Sequence, residues 1–274
     1  MRTTVNGVEL GYTDEGQGTP LVFVHGFPLS RGVWRKQIDA FRASHRAIAL
    51  DLRGFGESTT PQGPTTIIQY AEDLESLLQE LATGPVVLIG HSMGGYVALA
   101  FARRFPVMLR GLVLVGTKAG QDTPEAAAAR RATAEQVKAE GVQGVIESMA
   151  PKMLAAGNED ARLAAQVRDF MATARPDGVI GALLAMAERP DATPLLADIT
   201  VPTLVVAGAD DTIIAPGEAE TSAQAIRAAH LELISHAGHL VALERPEEFN
   251  RILKAWLAGV GLAGADRSAV PSRG

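Results

Sequence analysis

Four short apolar runs constrain the fold of this chain more than any other feature of its sequence. The runs are Leu21–Val24, Ala47–Leu50, Val86–Ile89 and Leu112–Val115. Each is nearly all apolar and lacks the polar alternation of a strand that is exposed on one face. Such a run predicts a strand buried on both faces, as in the centre of a parallel sheet.

Longer stretches with helical spacing of their apolar residues separate these runs. They are Trp34–Arg42, Thr66–Leu81 and Met93–Arg104. The repetition of strand, helix and strand predicts right-handed βαβ units. Nearer the N-terminus, Asn6-Gly7 lies between two short strand patterns, which is typical of a type I′ hairpin. The sheet is therefore expected to begin with antiparallel strands.

The pattern changes after the fourth run. Between Lys118 and Asp191 the sequence shows no convincing strand, whereas Pro124 and Pro176, each followed by an acidic residue, are typical of helix starts. We therefore expect several helices to be inserted here between two strands. The alternation of strand and helix then returns, in the order Thr203–Ala207, Pro216–Ala229, Leu231–Ile234 and Pro246–Ala258.

Together these elements predict an α/β fold with an eight-stranded, mostly parallel sheet flanked by helices. Residues 1–117 and 192–258 would form the core, and residues 118–191 would form a helical cap inserted after the sixth strand. Residues 259–274 are small and polar, so we expect them to form a flexible tail.

Composition excludes several classes of function. The chain has 274 residues and no cysteine, which excludes disulfides, a thiolate nucleophile and a zinc or iron–sulfur site built on cysteines. The net charge is −6 and the basic residues are not clustered, so no nucleic-acid partner is expected. The N-terminus lacks the apolar run of a signal peptide, and no run approaches the roughly 18 apolar residues that span a membrane. We therefore expect a cytoplasmic protein that does not bind membranes.

The motif with the clearest chemistry is G-x-S-x-G, formed by Gly90, Ser92 and Gly94. It directly follows a predicted strand and directly precedes a predicted helix. In that context the turn must be tight, and it would present the Ser92 hydroxyl above the sheet near the N–H groups of the helix. Ser92 is therefore the candidate nucleophile.

A serine nucleophile needs a base, which is itself oriented by an acid. His239 follows the last predicted strand and would lie at the carboxyl edge of the sheet, where ligands bind in open α/β folds. We favour His239 over His236, which is nearer to the strand end. For the acid we favour Asp211, with Asp210 as the alternative, since both follow the strand Thr203–Ala207.

The negative charge that develops on a reacting carbonyl oxygen requires two backbone N–H donors. Met93, which follows the nucleophile, would supply one of them. The other is expected from the loop that follows the third strand, where Pro28 has no N–H and Phe27 is therefore the donor. His25 in the same loop is expected to hold the loop by hydrogen bonds. There is no H-E-x-x-H motif and the histidines are scattered, so no metal site and no cofactor is expected.

Five motifs in this order resemble the α/β-hydrolase superfamily. They are HGFP at 25–28, DLRGFGES at 51–58, GHSMGG at 90–95, GADD at 208–211 and GH at 238–239. The resemblance covers about Asn6 to Leu257, with the helical insertion as the cap of the family. It implies the α/β-hydrolase fold, a triad of Ser92, Asp211 and His239, and an oxyanion hole formed by Phe27 and Met93.

Within the superfamily the chain is most similar to the group of small esterases, lactonases and cofactor-free haloperoxidases (perhydrolases). Trp34, seven residues after Phe27, fits the pattern of that group, and Pro28 resembles its perhydrolase members. Met149 and Met153 in the insertion would add a soft wall to the substrate site, and with Trp34 and Pro28 they are the expected substrate-binding residues.

The sequence therefore predicts a serine hydrolase that cleaves small or medium carboxylic esters through an acyl-enzyme. The alternatives are a lactonase acting on an enol-lactone or acyl-homoserine lactone, a perhydrolase with esterase activity, and a non-catalytic receptor for a small ligand. The expected partner is a small-molecule ester or lactone, and we expect a monomer or homodimer.

Overall fold

The four apolar runs become the central strands of an eight-stranded sheet. In the computed structural model, which describes residues 1–60 and 65–264, each run is fully buried. The strands are β1 (Arg2–Val5), β2 (Val8–Gly16), β3 (Pro20–Val24), β4 (Arg46–Leu50), β5 (Val86–His91), β6 (Leu109–Val115), β7 (Thr203–Gly208) and β8 (Ala229–Ile234).

The strands lie in the order β1-β2-β4-β3-β5-β6-β7-β8. The β1–β2 and β2–β4 pairs are antiparallel, and all other pairs are parallel. At the turn between β1 and β2, Asn6 has φ 47° and Gly7 has φ 75°. Two successive positive φ values are what a type I′ turn requires. The predicted hairpin and the mostly parallel sheet are therefore confirmed.

Ten α-helices connect or follow the described strands. They are α1 (Arg35–Phe41), α2 (Ile67–Glu80), α3 (Met93–Arg104), α4 (Pro124–Glu140), α5 (Gln143–Met149), α6 (Ala161–Ala172), α7 (Pro176–Ala187), α8 (Pro216–Ala225), α9 (Val241–Glu244) and α10 (Pro246–Gly259). The start of α2 is capped by Thr66, whose Oγ1 accepts a hydrogen bond of 3.0 Å from the Gln69 N–H. Pro124 and Pro176 open their helices as predicted. Within the described residues, no helix is both long and apolar enough to cross a membrane.

Alternate residues of the central strands belong to two separate hydrophobic clusters. Val22 and Val24 of β3 pack in one cluster, whereas Leu21 and Phe23 pack in the other. Successive side chains of a strand point to opposite faces, so both faces of the sheet are covered by apolar helix surfaces. This is why the runs are apolar throughout rather than alternating.

Four helices, α4 to α7, are inserted between β6 and β7. Helices α4 and α7 pack along each other, and α7 also contacts α2 of the core. Pro151 lies in a 3-10 turn, Ala150–Lys152, that follows α5 directly. Met149 therefore ends one element and Met153 follows the next, so the two do not share one helix.

The chain after α10 differs in part from the predicted flexible tail of residues 259–274. Leu262 is buried in the core, and its N–H donates a hydrogen bond of 2.8 Å to the Leu257 oxygen. The Leu262 oxygen lies 3.2 Å from His45 Nε2. The first residues of the predicted tail are therefore part of the packed body, because Leu262 supplies an apolar anchor. Residues 265–274 of the predicted tail lie outside the described residues.

Candidate active site

Ser92 lies at the turn between β5 and α3 in a strained backbone conformation. Its φ is 52° and its ψ is −116°, outside the conformations that non-glycine residues usually adopt. The turn tolerates no side chain at its two flanking glycines. A Cβ on Gly90 would lie 2.3 Å from the Gly94 oxygen, and one on Gly94 would lie 2.4 Å from the Val24 oxygen. The G-x-S-x-G spacing thus reflects a steric requirement of this turn.

The end of β6 stabilises this turn from the side. The Ser92 N–H donates a hydrogen bond of 2.9 Å to the Val115 oxygen, and the Thr117 hydroxyl donates one of 2.8 Å to the Ser92 oxygen. Both backbone polar groups of Ser92 therefore have partners on the neighbouring strand end. These bonds offset part of the cost of the strained conformation.

His239 and Asp211 form a buried pair. His239 Nδ1 lies 2.8 Å from Asp211 Oδ2, and both side chains are almost completely buried. The other carboxylate oxygen, Oδ1, accepts hydrogen bonds from the N–H groups of Ile213 and Ile214, at 2.8 and 3.0 Å. An ionised Asp211 accepts the proton of Nδ1, which leaves Nε2 of His239 as the lone-pair nitrogen.

The surroundings favour the ionised form of Asp211. Burial by itself raises the pKa of this carboxyl, but the hydrogen bond from His239 and the two backbone N–H groups outweigh burial. The pKa of Asp211 is consequently held below its usual value. Asp211 therefore stays an acceptor throughout the neutral pH range.

The two rival residues lie outside this pair. Asp210 is exposed, and His236 is exposed in a left-handed conformation with φ 54°. The His236 oxygen accepts a hydrogen bond of 2.9 Å from Arg245 Nε. The structure thus brings Asp211 and His239 together and places Asp210 and His236 at the surface.

Gly116, at the end of β6, connects the serine turn to the buried pair. It has φ 50°, and a Cβ built on it would lie 3.5 Å from His239 Nδ1 and 3.6 Å from Asp211 Oδ2. Its two neighbours, Val115 and Thr117, are the residues that hydrogen-bond to the Ser92 backbone. The same three-residue segment therefore hydrogen-bonds to Ser92 and passes beside His239 and Asp211, where a Cβ at position 116 would meet their side chains.

The loop after β3 lies against Ser92. A Cβ on Gly26 would lie 2.9 Å from the Cβ of Ser92, so the loop approaches the serine as closely as its backbone allows. Among the described residues, neither the Phe27 N–H nor the Met93 N–H donates a hydrogen bond to a protein acceptor. Two backbone donors next to Ser92 are thus available for an anionic oxygen. The peptide bond between Phe27 and Pro28 is cis.

His25 holds this loop by two hydrogen bonds. Its Nε2 accepts the Leu52 N–H at 3.0 Å, which leaves the proton on Nδ1 to be donated to the Gly26 oxygen at 2.9 Å. Burial lowers the pKa of His25, so the imidazole is neutral, as both bonds require. The expected hydrogen bonds of His25 are therefore present.

His91 is a functional candidate that sequence reasoning missed. Its Nε2 lies 2.9 Å from the His239 oxygen, and the two imidazole rings are 4.7 Å apart. Burial, reinforced by the nearby His239, lowers the pKa of His91 to about 3, so the ring is neutral and Nε2 donates its proton to that oxygen. The position next to Ser92 is visible in the sequence, but the contact with a residue 148 positions away is not.

Trp34, one of the expected substrate-binding residues, is buried in the core. It is 1% exposed, and its ring lies 5.2 Å from Phe23, 6.2 Å from Phe249 and 6.4 Å from His91. Trp34 thus packs against His91, whose ring contacts His239. A direct contact of Trp34 with a substrate stays a prediction.

The other three expected substrate-binding residues occupy different positions. Pro28 is buried in the loop after β3. Met153 is fully buried, and its oxygen accepts a hydrogen bond of 2.9 Å from the Leu240 N–H, one residue beyond His239. Met149 is partly buried against both hydrophobic clusters. The structure therefore links the segment after the 3-10 turn to the loop that holds His239, and a role of these residues in substrate binding stays a prediction.

The chemistry available here is that of a nucleophile, a base and a pair of N–H donors. Within the part of the chain that the structure describes, no three His, Cys, Asp or Glu side chains converge as a metal ion would require. A hydroxyl on a strained turn and an imidazole oriented by a buried carboxylate, both at the same edge of the sheet, are the groups that acyl transfer requires.

Comparison with known proteins agrees with this fold and site. Residues 19–246 match a family described as alpha/beta hydrolase fold. A non-heme chloroperoxidase from Kitasatospora aureofaciens is 33% identical, over 93% of this chain and 98% of the relative. A 3-oxoadipate enol-lactonase from Acinetobacter baylyi is 28% identical, over 92% of this chain and 94% of the relative.

Among solved structures, a thermophilic esterase from Thermogutta terrifontis is 41% identical and superimposes with a TM-score of 0.91. The match covers 94% of this chain and 97% of the esterase. The chain therefore belongs to the alpha/beta hydrolase family. Its relatives include esterases, enol-lactonases and haloperoxidases, as the sequence motifs predict, and they identify it as a hydrolase.

Proposed function

We propose that this protein is a serine hydrolase that cleaves small or medium carboxylic esters through an acyl-enzyme. The observation that carries the proposal is the strained Ser92 turn, which shares the segment at Gly116 with the buried pair of His239 and Asp211. An alpha/beta hydrolase without such a pair would lack a base for the serine.

In the first half-reaction, Ser92 Oγ attacks the ester carbonyl carbon while His239 Nε2 takes the hydroxyl proton. Asp211 stabilises the imidazolium and keeps Nδ1 protonated. When the tetrahedral intermediate collapses, the C–O bond to the alcohol breaks and His239 returns the proton to the leaving oxygen. The product of this step is the acyl ester of Ser92 together with the free alcohol.

In the second half-reaction a water molecule replaces the alcohol. His239 removes one proton from the water as its oxygen attacks the acyl carbon. The proton then goes to Ser92 Oγ as the acyl bond breaks, which releases the carboxylic acid. In both halves the Phe27 and Met93 N–H groups would donate to the anionic oxygen, and removal of one such donor typically costs about 10²–10³-fold in rate.

The test of the proposal is Ser92→Ala with p-nitrophenyl esters of increasing chain length. We expect kcat/KM to fall at least about 10³-fold while the circular dichroism spectrum stays unchanged. Ser235→Ala, at an exposed serine, is the matched control and should retain full activity. Turnover by Ser92→Ala at the rate of the unchanged protein would refute the assignment. The chain-length series also measures the acyl preference of the site that Trp34, Pro28, Met149 and Met153 are predicted to line.

A lactonase is the second candidate, and it is favoured by the enol-lactonase relative that covers 92% of this chain. A lactone is an internal ester, so the same steps apply and the alcohol stays attached to the acyl group. A pH-stat assay on enol-lactones and acyl-homoserine lactones, run beside linear esters of equal carbon number, separates the two. A kcat/KM at least about tenfold higher for the lactones would favour this candidate.

Perhydrolysis is favoured by the chloroperoxidase relative and by Pro28. There hydrogen peroxide, rather than water, would attack the acyl-enzyme and release a peracid. Bromination of monochlorodimedone in acetate and peroxide measures this activity, and Pro28→Ala tests the role of the proline. Labelling of Ser92 by a fluorophosphonate separates all three enzymes from a non-catalytic receptor, in which the serine would not react.

A further inference from the structure

A cavity of about 280 Å³ lies away from the triad. Its walls come from the first turn of α2, the C-terminal half of α3 and the two segments that connect the sheet to the inserted helices. Neither Ser92 nor His239 lines it. Its volume lies just below the range of about 300–1,000 Å³ for ligand pockets, so it suits a small ligand.

The two connecting segments meet at this cavity. Ala119, in the segment that leaves β6, accepts a hydrogen bond of 3.0 Å at its oxygen from the Ala192 N–H of the returning segment. Both residues line the cavity. A ligand bound here would therefore contact the core and both connections to the inserted helices.

The interior of the cavity is apolar. Ile67, Leu99 and Ala119 are buried in its wall, with Leu195 partly buried beside them. Ile68, which also lines it, is 39% exposed and is one of few large apolar side chains so exposed in the described chain. An apolar group of a ligand would cover this exposed surface, which is favourable in water.

The rim of the cavity is cationic. Arg104 has a carboxylate partner, Glu72, at 2.7 Å, and Lys118 lies 3.9 Å from Asp122. Arg103 is exposed and has no carboxylate partner among the described residues. The rim thus offers a guanidinium that is not neutralised, next to an apolar interior.

Arg189 adds a buried guanidinium to the wall. Its side chain is 3% exposed, and its Nη atoms are occupied by Asp122, the Met186 oxygen and the Gly120 oxygen. Its Nε–H has no acceptor within the described residues. A buried donor without an acceptor is unfavourable, so the cavity wall holds a polar group that the described protein atoms leave unsatisfied.

We propose that this cavity binds a small apolar monocarboxylate, with its chain inside and its carboxylate at Arg103. A single negative charge fits better than a phosphate, because Asp191 is also on the rim and Arg104 already has a partner. The inference is independent of the reaction proposed for Ser92. It assigns a ligand class to a cavity that contributes nothing to the triad.

The experiment titrates the full-length protein with hexanoate by isothermal calorimetry, with hexanamide as the neutral ligand of the same length. We expect hexanoate to bind and hexanamide to bind at least about fivefold more weakly. Arg103→Gln should weaken hexanoate binding at least about fivefold, and Arg103→Glu should weaken it further. Arg110→Gln, at another exposed arginine, is the matched control and should leave the affinity unchanged.

A pocket-filling variant locates the binding. Ala100→Trp should abolish hexanoate binding, while Ser92→Ala should leave it intact. If Ala100→Trp does not fold, the Arg103 variants, which alter an exposed side chain, still decide. Three results would each overturn the proposal: no hexanoate binding at millimolar concentration, equal affinity for hexanamide, or binding that is insensitive to the Arg103 variants.

Discussion

At the residue scale, the position of one proton decides whether Ser92 can be activated. The Asp211 carboxylate accepts three hydrogen bonds, from His239 Nδ1 and from two backbone N–H groups. Because these bonds keep Asp211 ionised, the proton of a neutral His239 stays on Nδ1 and the lone pair on Nε2. An amide at position 211 could present an N–H instead and reverse that tautomer.

Asp211→Asn is therefore expected to lower kcat for a p-nitrophenyl ester by about 10³–10⁴-fold, because the wrong tautomer offers no lone pair to the serine hydroxyl. Asp210→Asn changes an exposed carboxylate outside the pair of Asp211 and His239, so it should retain activity within about twofold. The two variants are compared under identical conditions. Loss of activity in Asp210→Asn with retention in Asp211→Asn would reverse the assignment of the acid.

His91 is expected to act as a positioning residue for His239. His91→Phe removes the hydrogen bond to the His239 oxygen, so we expect kcat to fall about tenfold with little change in KM. Because the pKa of His91 is about 3, its ring does not titrate near neutral pH, and the acid limb of the kcat profile should keep its midpoint. A midpoint that moves by a full pH unit in His91→Phe would contradict a positioning role.

At the element scale, the sequence predicts the features that depend on local patterns better than those that depend on long-range contacts. Helix α3 has the predicted bounds, Met93–Arg104, because the glycine-rich turn fixes its start and its apolar spacing runs to the end. Helix α8 ends at Ala225 rather than at the predicted 229, since β8 already begins at Ala229. The short helix Val241–Glu244 was not predicted, because four residues carry too little periodicity.

The residues of the candidate site also fall into two groups, those that the sequence alone identifies and those that depend on long-range contacts. Ser92, Asp211 and His239 could be selected because each follows a predicted strand. The roles of Gly116 and His91 could not, because they depend on which strand ends lie side by side. Arg189 resembles a residue at a solvated helix end in the sequence, yet it is buried, because Asp122 from the other connecting segment pairs with it at 3.0 Å.

Asp122 is accordingly expected to hold the two connecting segments of the inserted helices together. Its carboxylate is 2% exposed and pairs with Arg130 at 2.5 Å as well as with Arg189. Asp122→Asn would leave the buried Arg189 without its counter-charge, so we expect a loss of about 3–5 kcal/mol in the free energy of unfolding. Urea denaturation measures this loss. Glu188→Gln, at an exposed carboxylate, is the control and should change stability by less than about 0.5 kcal/mol.

At the scale of the whole molecule, the strand order explains why distant residues meet. Strands β5, β6, β7 and β8 are consecutive neighbours in the sheet. Their carboxyl ends therefore share one edge, and Ser92, Gly116, Asp211 and His239 follow these four ends in turn. The loop after β3 joins them from the other side of β5. One parallel sheet thus collects a site from residues spread over most of the chain.

Burying histidines in this sheet makes the stability of the whole molecule depend on pH. Burial lowers the pKa of His25, His45 and His91, so each ring gains its proton at a lower pH in the folded protein than in the unfolded chain. An unfolded histidine takes up a proton below about pH 6.5, and so the unfolded state binds more protons than the folded state as the pH falls. The contribution of these histidines to the free energy of unfolding is therefore complete above about pH 6.5 and is lost progressively below it. The lowered pKa of Asp211 acts in the same direction, but only near and below its usual value of 3.8.

We therefore expect the urea midpoint to be lower at pH 5.0 than at pH 7.5. For His91, whose pKa is about 3 in the folded protein, the linkage amounts to about 2 kcal/mol over this interval, at about 1.4 kcal/mol per pH unit below 6.5. His91→Gln has no proton to gain at position 91. The free energy of unfolding of this variant should therefore fall by about 2 kcal/mol less between pH 7.5 and 5.0 than that of the unchanged protein, even if the variant is less stable at both pH values. Equal midpoints at pH 5.0 and 7.5 in the unchanged protein would mean that the buried imidazoles gain their protons without unfolding.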